Sequence, residues 1–295
     1  MQFLLAGASG FLGQALSSAL VAQGHQVLRL VRAQTMAADE ARWDPRRGEV
    51  DRQLVEWADV VVNLAGASHV HFPWTDSYRR TFLESRVRTT RTLAEAVSES
   101  ERMPAFVNQG AIAGYGDRGS NVIDERTPND ADSYMGEVTR QWEAAATPAV
   151  DSGARVAQMR TGVVLDRHGS TLKVALVPFR LGLGGPISSG EQYFPTISLD
   201  DWVGAAIFLA LNDHTSGVYN VTGPDPSTNA EFTAELARAL HRPAKLRVPA
   251  FAARAAGPLG AEALASQRVE PRRLLHEGYA FAHNDIVDRI AAALR

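Results

Sequence analysis

The 295-residue sequence predicts a doubly wound α/β fold, a parallel sheet with helices on both faces, on three observations. Short apolar runs recur at residues 2–6, 27–31, 60–64, 105–107 and 156–159. They lack the polar alternation of half-exposed strands, as expected when both faces are covered. Helical patterns fill the gaps between them. A glycine-spaced turn, "GASGFLG", joins the first run to the first helix.

In chain order, Phe11, Leu12, Ala15, Leu16, Ala19 and Leu20 make one apolar stripe, and Gly24 follows where a left-handed helix cap is expected. Residues 79–98 read as a long, charge-rich helix with Phe82, Val87, Leu93 and Val97 facing inward. Beyond Leu165 the texture changes, with "PFRLGLGGPISSGEQYFP" rich in Gly and Pro and poor in periodicity. "LDDWVGAAIFLAL" then reads as a helix whose entry carries Asp200 and Asp201 as cap and dipole partners, and "GVYNVTG" as a strand. Thr228 and Glu231 form a capping box, and the last helix begins near Asp285. The expected division is residues 1–165, completed by about 198–223, and a smaller α/β lobe at 166–295, with the substrate in the cleft between them.

Composition narrows the function classes. The formal net charge of -3 supplies no field for holding nucleic acid or an anionic membrane, and no run is long and apolar enough to suggest a spanning helix. The chain has no cysteine, so disulfides, thiolate metal sites and cysteine nucleophiles are excluded, and the cytoplasm is the expected location.

The first turn has the makings of a dinucleotide cradle. Gly7 suits a tight turn after the strand, Gly10 lets backbone approach a pyrophosphate, and Gly13 lets the helix sit close to the sheet, with the helix N-terminus facing the negative charge. The end of the next strand selects the dinucleotide, because an acid there accepts from a ribose hydroxyl while an arginine accommodates a 2'-phosphate. In "LRLVR" that position is Arg32, and no acid follows until Asp39. NADP(H) is therefore expected over NAD, the alternative being a solvated strand-end arginine. In "NLAG", Asn63 closes a strand while Leu64, Ala65 and Gly66 leave room for cofactor to approach the main chain. His69 and His71 alternate as zinc ligands can, but without a third ligand at suitable spacing no metal is expected.

The glycine spacing, "NLAG" and "RTGVVLD" together resemble the extended short-chain dehydrogenase/reductase superfamily. The segments "PFRLGLGGPISSGEQYFP", "LHRPAKLRVPA" and "SQRVEPRRLLHEGYAF" are similar to those of its epimerase-like subfamily with a C-terminal segment of unknown function. The resemblance covers the whole chain. It implies a Rossmann-type lobe, an NADP-type cofactor and a small α/β C-terminal lobe. It implies cofactor contacts from Gly7, Ser9, Gly10, Phe11, Leu12, Gly13, Arg32, Leu64, Ala65 and Gly66. Thr161 and Gly162 would pass the nicotinamide end, and Arg86, where the superfamily commonly has asparagine, would reach the cofactor or a substrate anion. The superfamily's acid/base tyrosine corresponds to Tyr134, but the lysine four residues on is Val138 and the expected serine is Ala111. The arginine with which nucleotide-sugar enzymes of the superfamily bind the diphosphate is missing between Gly190 and Asp201, leaving Arg180, Arg268, Arg272 and Arg273 as other candidate anion contacts. Two functions follow from this pattern: an oxidoreductase or epimerase acting on a small carbonyl, alcohol or sugar-like substrate, or a catalytically reduced NADP(H) sensor.

Overall fold

A computed structural model describes residues 1–295, apart from the side chain of Ser170. The N-terminal half contains β1 (Gln2–Ala6), α1 (Phe11–Ala22), β2 (Gln26–Val31), β3 (Glu40–Arg42), α2 (Arg52–Trp57), β4 (Val60–Asn63), α3 (Asp76–Ser98) and β5 (Ala105–Ala111). A 3-10 turn over Ile112–Tyr115 leads to β6 (Val122–Ile123), α4 (Tyr134–Ala144), α5 (Thr147–Asp151) and β7 (Val156–Thr161). Then come β8 (Val163–Leu165), α6 (Ser170–Arg180), β9 (Thr196–Ser198), α7 (Leu199–Leu211), β10 (Gly217–Val221) and α8 (Asn229–Ala239). The chain closes with α9 (Ala250–Ala255), α10 (Pro258–Glu262), β11 (Arg268–Val269), α11 (Arg272–His276) and α12 (Ile286–Leu294).

Seven strands form one parallel sheet in the order β10-β7-β5-β4-β1-β2-β3, the doubly wound arrangement that the alternation predicts. Period-two alternation divides β1 between two cores. Phe3 and Leu5 join Val60, Val62 and Met159 beneath α1 and α7, while Leu4 and Ala6 join Val61, Phe106 and Val156 beneath α2 and α3. A separate core of Leu165, Leu172, Leu176, Phe232, Leu236 and Ile290 sits under α6, α8 and α12. Among the described residues, no helix is long and apolar enough to cross a membrane.

Several boundaries differ from the sequence reading. The run at 105–107 continues as strand to Ala111, because β7 pairs along it as far as Ala111 opposite Thr161. The run at 60–64 stops at Asn63, whose side chain accepts from the Ala65 amide and turns the chain out of the sheet. Helix α3 begins at Asp76 rather than 79, with Thr75 accepting from the Tyr78 amide as its cap. On that helix Val87 is only half-buried, and Arg86 occupies the inward stripe with Phe82 and Leu93. The predicted capping box is formed by Thr228 and Glu231, and Asp285 caps α12.

The entry to α7 also requires a correction. Ser198, not an aspartate, is its cap: its hydroxyl accepts from the Asp201 amide and donates to the Asp201 carboxylate. Asp200 is exposed, whereas Asp201 is 1% exposed and accepts from the amides of Ala282 and His283, tying the segment before α12 to the sheet layer. Asp201→Ala is accordingly expected to lower unfolding stability by about 3 kcal/mol, and Asp200→Ala by less than about 0.5 kcal/mol, in urea denaturation. Equal losses would show that Asp201 serves only the helix dipole.

Candidate functional site

The carboxyl ends of β1, β4, β5 and β7 meet at one edge of the sheet, and the glycine turn lies on it. Gly7 adopts φ +84°, and a Cβ there would lie 2.6 Å from the Leu64 carbonyl carbon, so the turn rests directly on the "NLAG" backbone. At Gly13 a Cβ would lie 2.2 Å from the Gly7 oxygen, which explains the close seat of α1. Gly10 differs: it is exposed, and a Cβ there would meet only the Gly7 oxygen, at 3.3 Å. Packing within the chain demands glycine strongly at two of the three positions and only mildly at the third.

Helix α1 begins at Gly10 with no side-chain cap and no acid in its first turn. By contrast α2, α3, α4, α7, α8 and α12 are capped by Asp51, Thr75, Ser133, Ser198, Thr228 and Asp285, while α6 and the short helices α5, α9, α10 and α11 share the lack of a side-chain cap. The Gly10 amide donates to the Gly7 carbonyl at 3.0 Å, and the first amides of α1 beyond it are of the kind that can donate to an anion. Phe11 and Leu12 are half-buried and Ser9 exposed, and the Phe11 ring packs beneath Gly169 at the entry to α6, bringing the other lobe over the turn. Arg32 stands exposed just past β2. Asp39, the acid nearest in sequence, accepts both Nε and Nη2 of Arg29 at 2.8 Å. The cation, rather than an acid, is what the strand end leaves available.

A buried polar ladder holds this edge. Asn63 donates to Thr90 Oγ1 at 2.9 Å and to Asn108 Oδ1 at 3.0 Å, and Asn108 donates to Gln158 Oε1 at 2.9 Å. Trp142 of α4 donates its indole N–H to the same Thr90 hydroxyl at 3.0 Å. β4, β5, β7, α3 and α4 are thereby pinned together where the loop of Leu64, Ala65 and Gly66 leaves the sheet. Farther along, Arg160 donates from Nε and Nη2 to the Glu143 carboxylate at 2.7 and 2.8 Å, and Tyr115 donates to Asn220 at 2.7 Å. The sequence reading quoted Arg160 in "RTGVVLD" without finding its partner. The signal available was a lone glutamate in the helix "RQWEAA".

The residues at the nicotinamide end divide into packed and open groups. Gly162 is small for the protein's own sake, since a Cβ would lie 2.7 Å from the Pro195 oxygen, and Thr161 accepts the Trp202 indole N–H. Tyr134 opens α4, and its hydroxyl donates to the Arg79 carbonyl at 2.7 Å. Burial raises its pKa above the ordinary phenol value, against opposing pulls from Arg86 and Arg79. Val138 is buried and Ala111 half-buried, so neither supplies a polar partner. Trp74 meets Tyr78, Phe82 and Tyr134 edge-on, and Gly257 before α10 packs on its Cβ. His69 lies 3.3 Å from the Thr171 hydroxyl, and His71 stacks on Tyr78 at 3.5 Å. Among the described residues no group of three or more His, Cys, Asp or Glu could hold a metal ion. Arg272 and Arg273 pair with carboxylates, Arg268 lies over Tyr193, and Arg180 is exposed.

The profile of the NAD dependent epimerase/dehydratase family matches residues 3–137, and that of a domain of unknown function (DUF1731) matches residues 248–293. The epimerase family protein ML0860 of Mycobacterium leprae is 39% identical over 98% of this chain and 94% of its own. The chain belongs to the epimerase family. The crystal structure of human epimerase family protein SDR39U1 with NADPH superposes on this family member with a TM-score of 0.90, at 33% identity over 99% of both chains. A nucleoside-diphosphate sugar epimerase from Corynebacterium glutamicum superposes with a TM-score of 0.82, at 33% identity over the whole of this chain and 58% of that one.

This epimerase-family chain also has a cleft of about 610 Å³ lined by Tyr115, Arg118, Ser133, Arg254 and Glu262 among others. Burial pushes the Glu262 carboxyl from 4.5 up to about 7. The folded state therefore keeps a proton that the unfolded chain has lost between those values, and stability falls as pH rises through that window. Glu262→Gln is expected to flatten this slope and to exceed wild type at pH 8 by on the order of 3 kcal/mol in chemical denaturation. Parallel pH profiles would show Glu262 titrating normally. For the ladder, Thr90→Val leaves Asn63 and Trp142 donors without their acceptor and is expected to cost about 1–3 kcal/mol in the same measurement. An unchanged midpoint would mean that the ladder carries no stability.

Proposed function

We propose that this chain binds NADP(H) across the carboxyl edge of its sheet and reduces or oxidises a small carbonyl, alcohol or sugar-like substrate between the lobes. The observation that carries the reading is the uncapped N-terminus of α1, preceded by a glycine turn and flanked by Arg32. The amides around Gly10 would hold a pyrophosphate, with Ser9, Phe11 and Leu12 beside it and Leu64, Ala65 and Gly66 along the adenosine side. Arg32 would hold the 2'-phosphate, in keeping with the NADPH in the human relative's crystal structure. Thr161 and Gly162 would border the nicotinamide, and Arg86 the reacting end. Bound there, the cofactor supplies or removes a hydride.

The chain's own part is orientation and proton handling. With Val138 in place of lysine and its own burial raising its pKa, Tyr134 stays protonated at neutral pH. That state suits a general acid, giving its proton to an alkoxide as a carbonyl is reduced, more than a base drawing one from an alcohol. Its hydroxyl must then leave the Arg79 carbonyl or act through a water molecule. The same hydrogen bond, together with Ala111 and Val138, favours the second reading, a protein that binds NADP(H) and reports its redox state to a partner.

Calorimetry and NADPH absorbance separate these readings. Arg32→Ala is expected to weaken NADPH binding by about 10- to 100-fold while leaving NADH unchanged, the cost of one charge-assisted phosphate contact. Heat from neither coenzyme with wild type would sink the dinucleotide reading. Among carbonyl compounds, turnover lost in Tyr134→Phe supports the acid role, and turnover retained assigns the proton to water. Binding without turnover on any compound supports the sensor.

A further inference from the structure

Three arginines of this chain are buried, Arg86, Arg160 and Arg289, and Arg155 is half-buried; all but Arg86 have a carboxylate or several acceptors on them, although Nη1 of Arg160 is left without a partner. Arg160 grips Glu143 with two hydrogen bonds. Arg155 donates to the carbonyls of Leu209 and Ala210 and to Thr215. Arg289, 1% exposed, donates to the carbonyls of Asp285, Thr196 and Asp225. Arg86, 8% exposed, is the exception: its one hydrogen bond runs from Nη1 to the Phe82 carbonyl of its own helix at 3.1 Å. Its guanidinium lies flat over the Phe82 ring at 3.5 Å and faces the Trp142 ring at 5.0 Å. The titratable groups whose charges bear on it are the phenols of Tyr78 and Tyr134 and the imidazole of His69. Among the described residues no carboxylate bears on it. Burial lowers the Arg86 pKa to about 10, which still leaves it cationic at neutral pH.

A buried cation with two rings and one carbonyl for company is costly, and proteins keep such a group where a ligand completes it. Its location says which ligand. Gly7 rests on Leu64 and Ala65, on the pyrophosphate side of the "NLAG" loop. Arg86 backs Gly66, where a Cβ would lie 3.3 Å from its Cγ, Cζ and Nη1. Its other neighbours, Tyr134 and Trp142, belong to α4 at the reacting end. We propose that Arg86 receives the carboxylate of the substrate, so that this chain acts on a small carbonyl or alcohol compound bearing a carboxylate group. A guanidinium presents paired N–H donors that match a planar carboxylate, and its single charge balances a carboxylate better than the nearly two charges of a phosphate monoester. This inference rests on the dinucleotide reading only for the identity of the reacting end.

The test compares wild type, Arg86→Met and Arg289→Met by thermal unfolding, alone and with acetate, glyoxylate or inorganic phosphate, with and without NADPH. Without ligand, Arg86→Met is expected to unfold at a higher temperature than wild type, because it removes an uncompensated charge, while Arg289→Met unfolds lower, because it orphans three carbonyls. The two carboxylate probes should stabilise wild type but not Arg86→Met, phosphate should not act through Arg86, and NADPH affinity by fluorescence should change less than about threefold. Should Arg86→Met fail to fold, Arg86→Lys keeps the charge without the fork and should weaken the carboxylate response at least about tenfold. A fall in melting temperature for Arg86→Met like that of Arg289→Met would make Arg86 a structural residue and overturn the proposal. So would stabilisation of wild type by phosphate alone, or a large loss of NADPH affinity in Arg86→Met with no carboxylate response. Failure of wild type to bind NADPH, with the Arg86-dependent carboxylate response intact, would sink the dinucleotide reading while supporting this one.

Discussion

Covering both faces of a parallel sheet with helices leaves the strand ends as the place where polar groups can meet a ligand. β1 and β4 are buried along nearly their whole length, and their side chains are committed to the two cores on either face. The carboxyl edge is therefore where exposed backbone amides, an uncapped helix and unmatched charge collect. Gly7 seated on Leu64 and Ala65 brings two of these strand ends into contact, and the ladder from Asn63 to Gln158 extends that union across β5 and β7.

Segments from the second half of the chain also pack near this edge. Phe11 beneath Gly169, Trp74 against Gly257, and Asp201 holding the amides of Ala282 and His283 are contacts between the sheet layer and segments from the second half of the chain. They are mostly backbone-to-ring or carboxylate-to-amide contacts. Both halves of the chain thus contribute contacts around the candidate site.

Within the site, the departures from the superfamily pattern form a consistent set. Position 138 is a buried valine and position 111 a half-buried alanine, while burial shifts the Tyr134 phenol upward and its hydroxyl donates to the Arg79 carbonyl. A cation is nevertheless present nearby, carried on α3 as Arg86 rather than on α4. Its flat seat over Phe82 fixes the plane of the guanidinium. Positive charge near Tyr134 thus comes from α3.

Much of this was legible in the residues themselves, because it depends on local rules. Unbroken apolar runs mark covered strands, glycines at fixed spacing mark a turn that tolerates no Cβ, and Thr228 with Glu231 or Asp285 announces a helix start. Arg86 was half legible: it falls four residues after Phe82 and seven before Leu93, on the inward stripe, yet a charge there reads equally well as a surface residue until burial is known. What only the tertiary structure decided are relations between residues far apart in the chain. Those include Glu143 facing Arg160, Asp201 reaching residues 282 and 283, Tyr134 spending its proton on Arg79, and Arg86 finding no carboxylate. Periodicity specifies which face a residue occupies on its own element. Which groups meet it across the gap is set by how the elements pack, and that is where charge is either cancelled or left over.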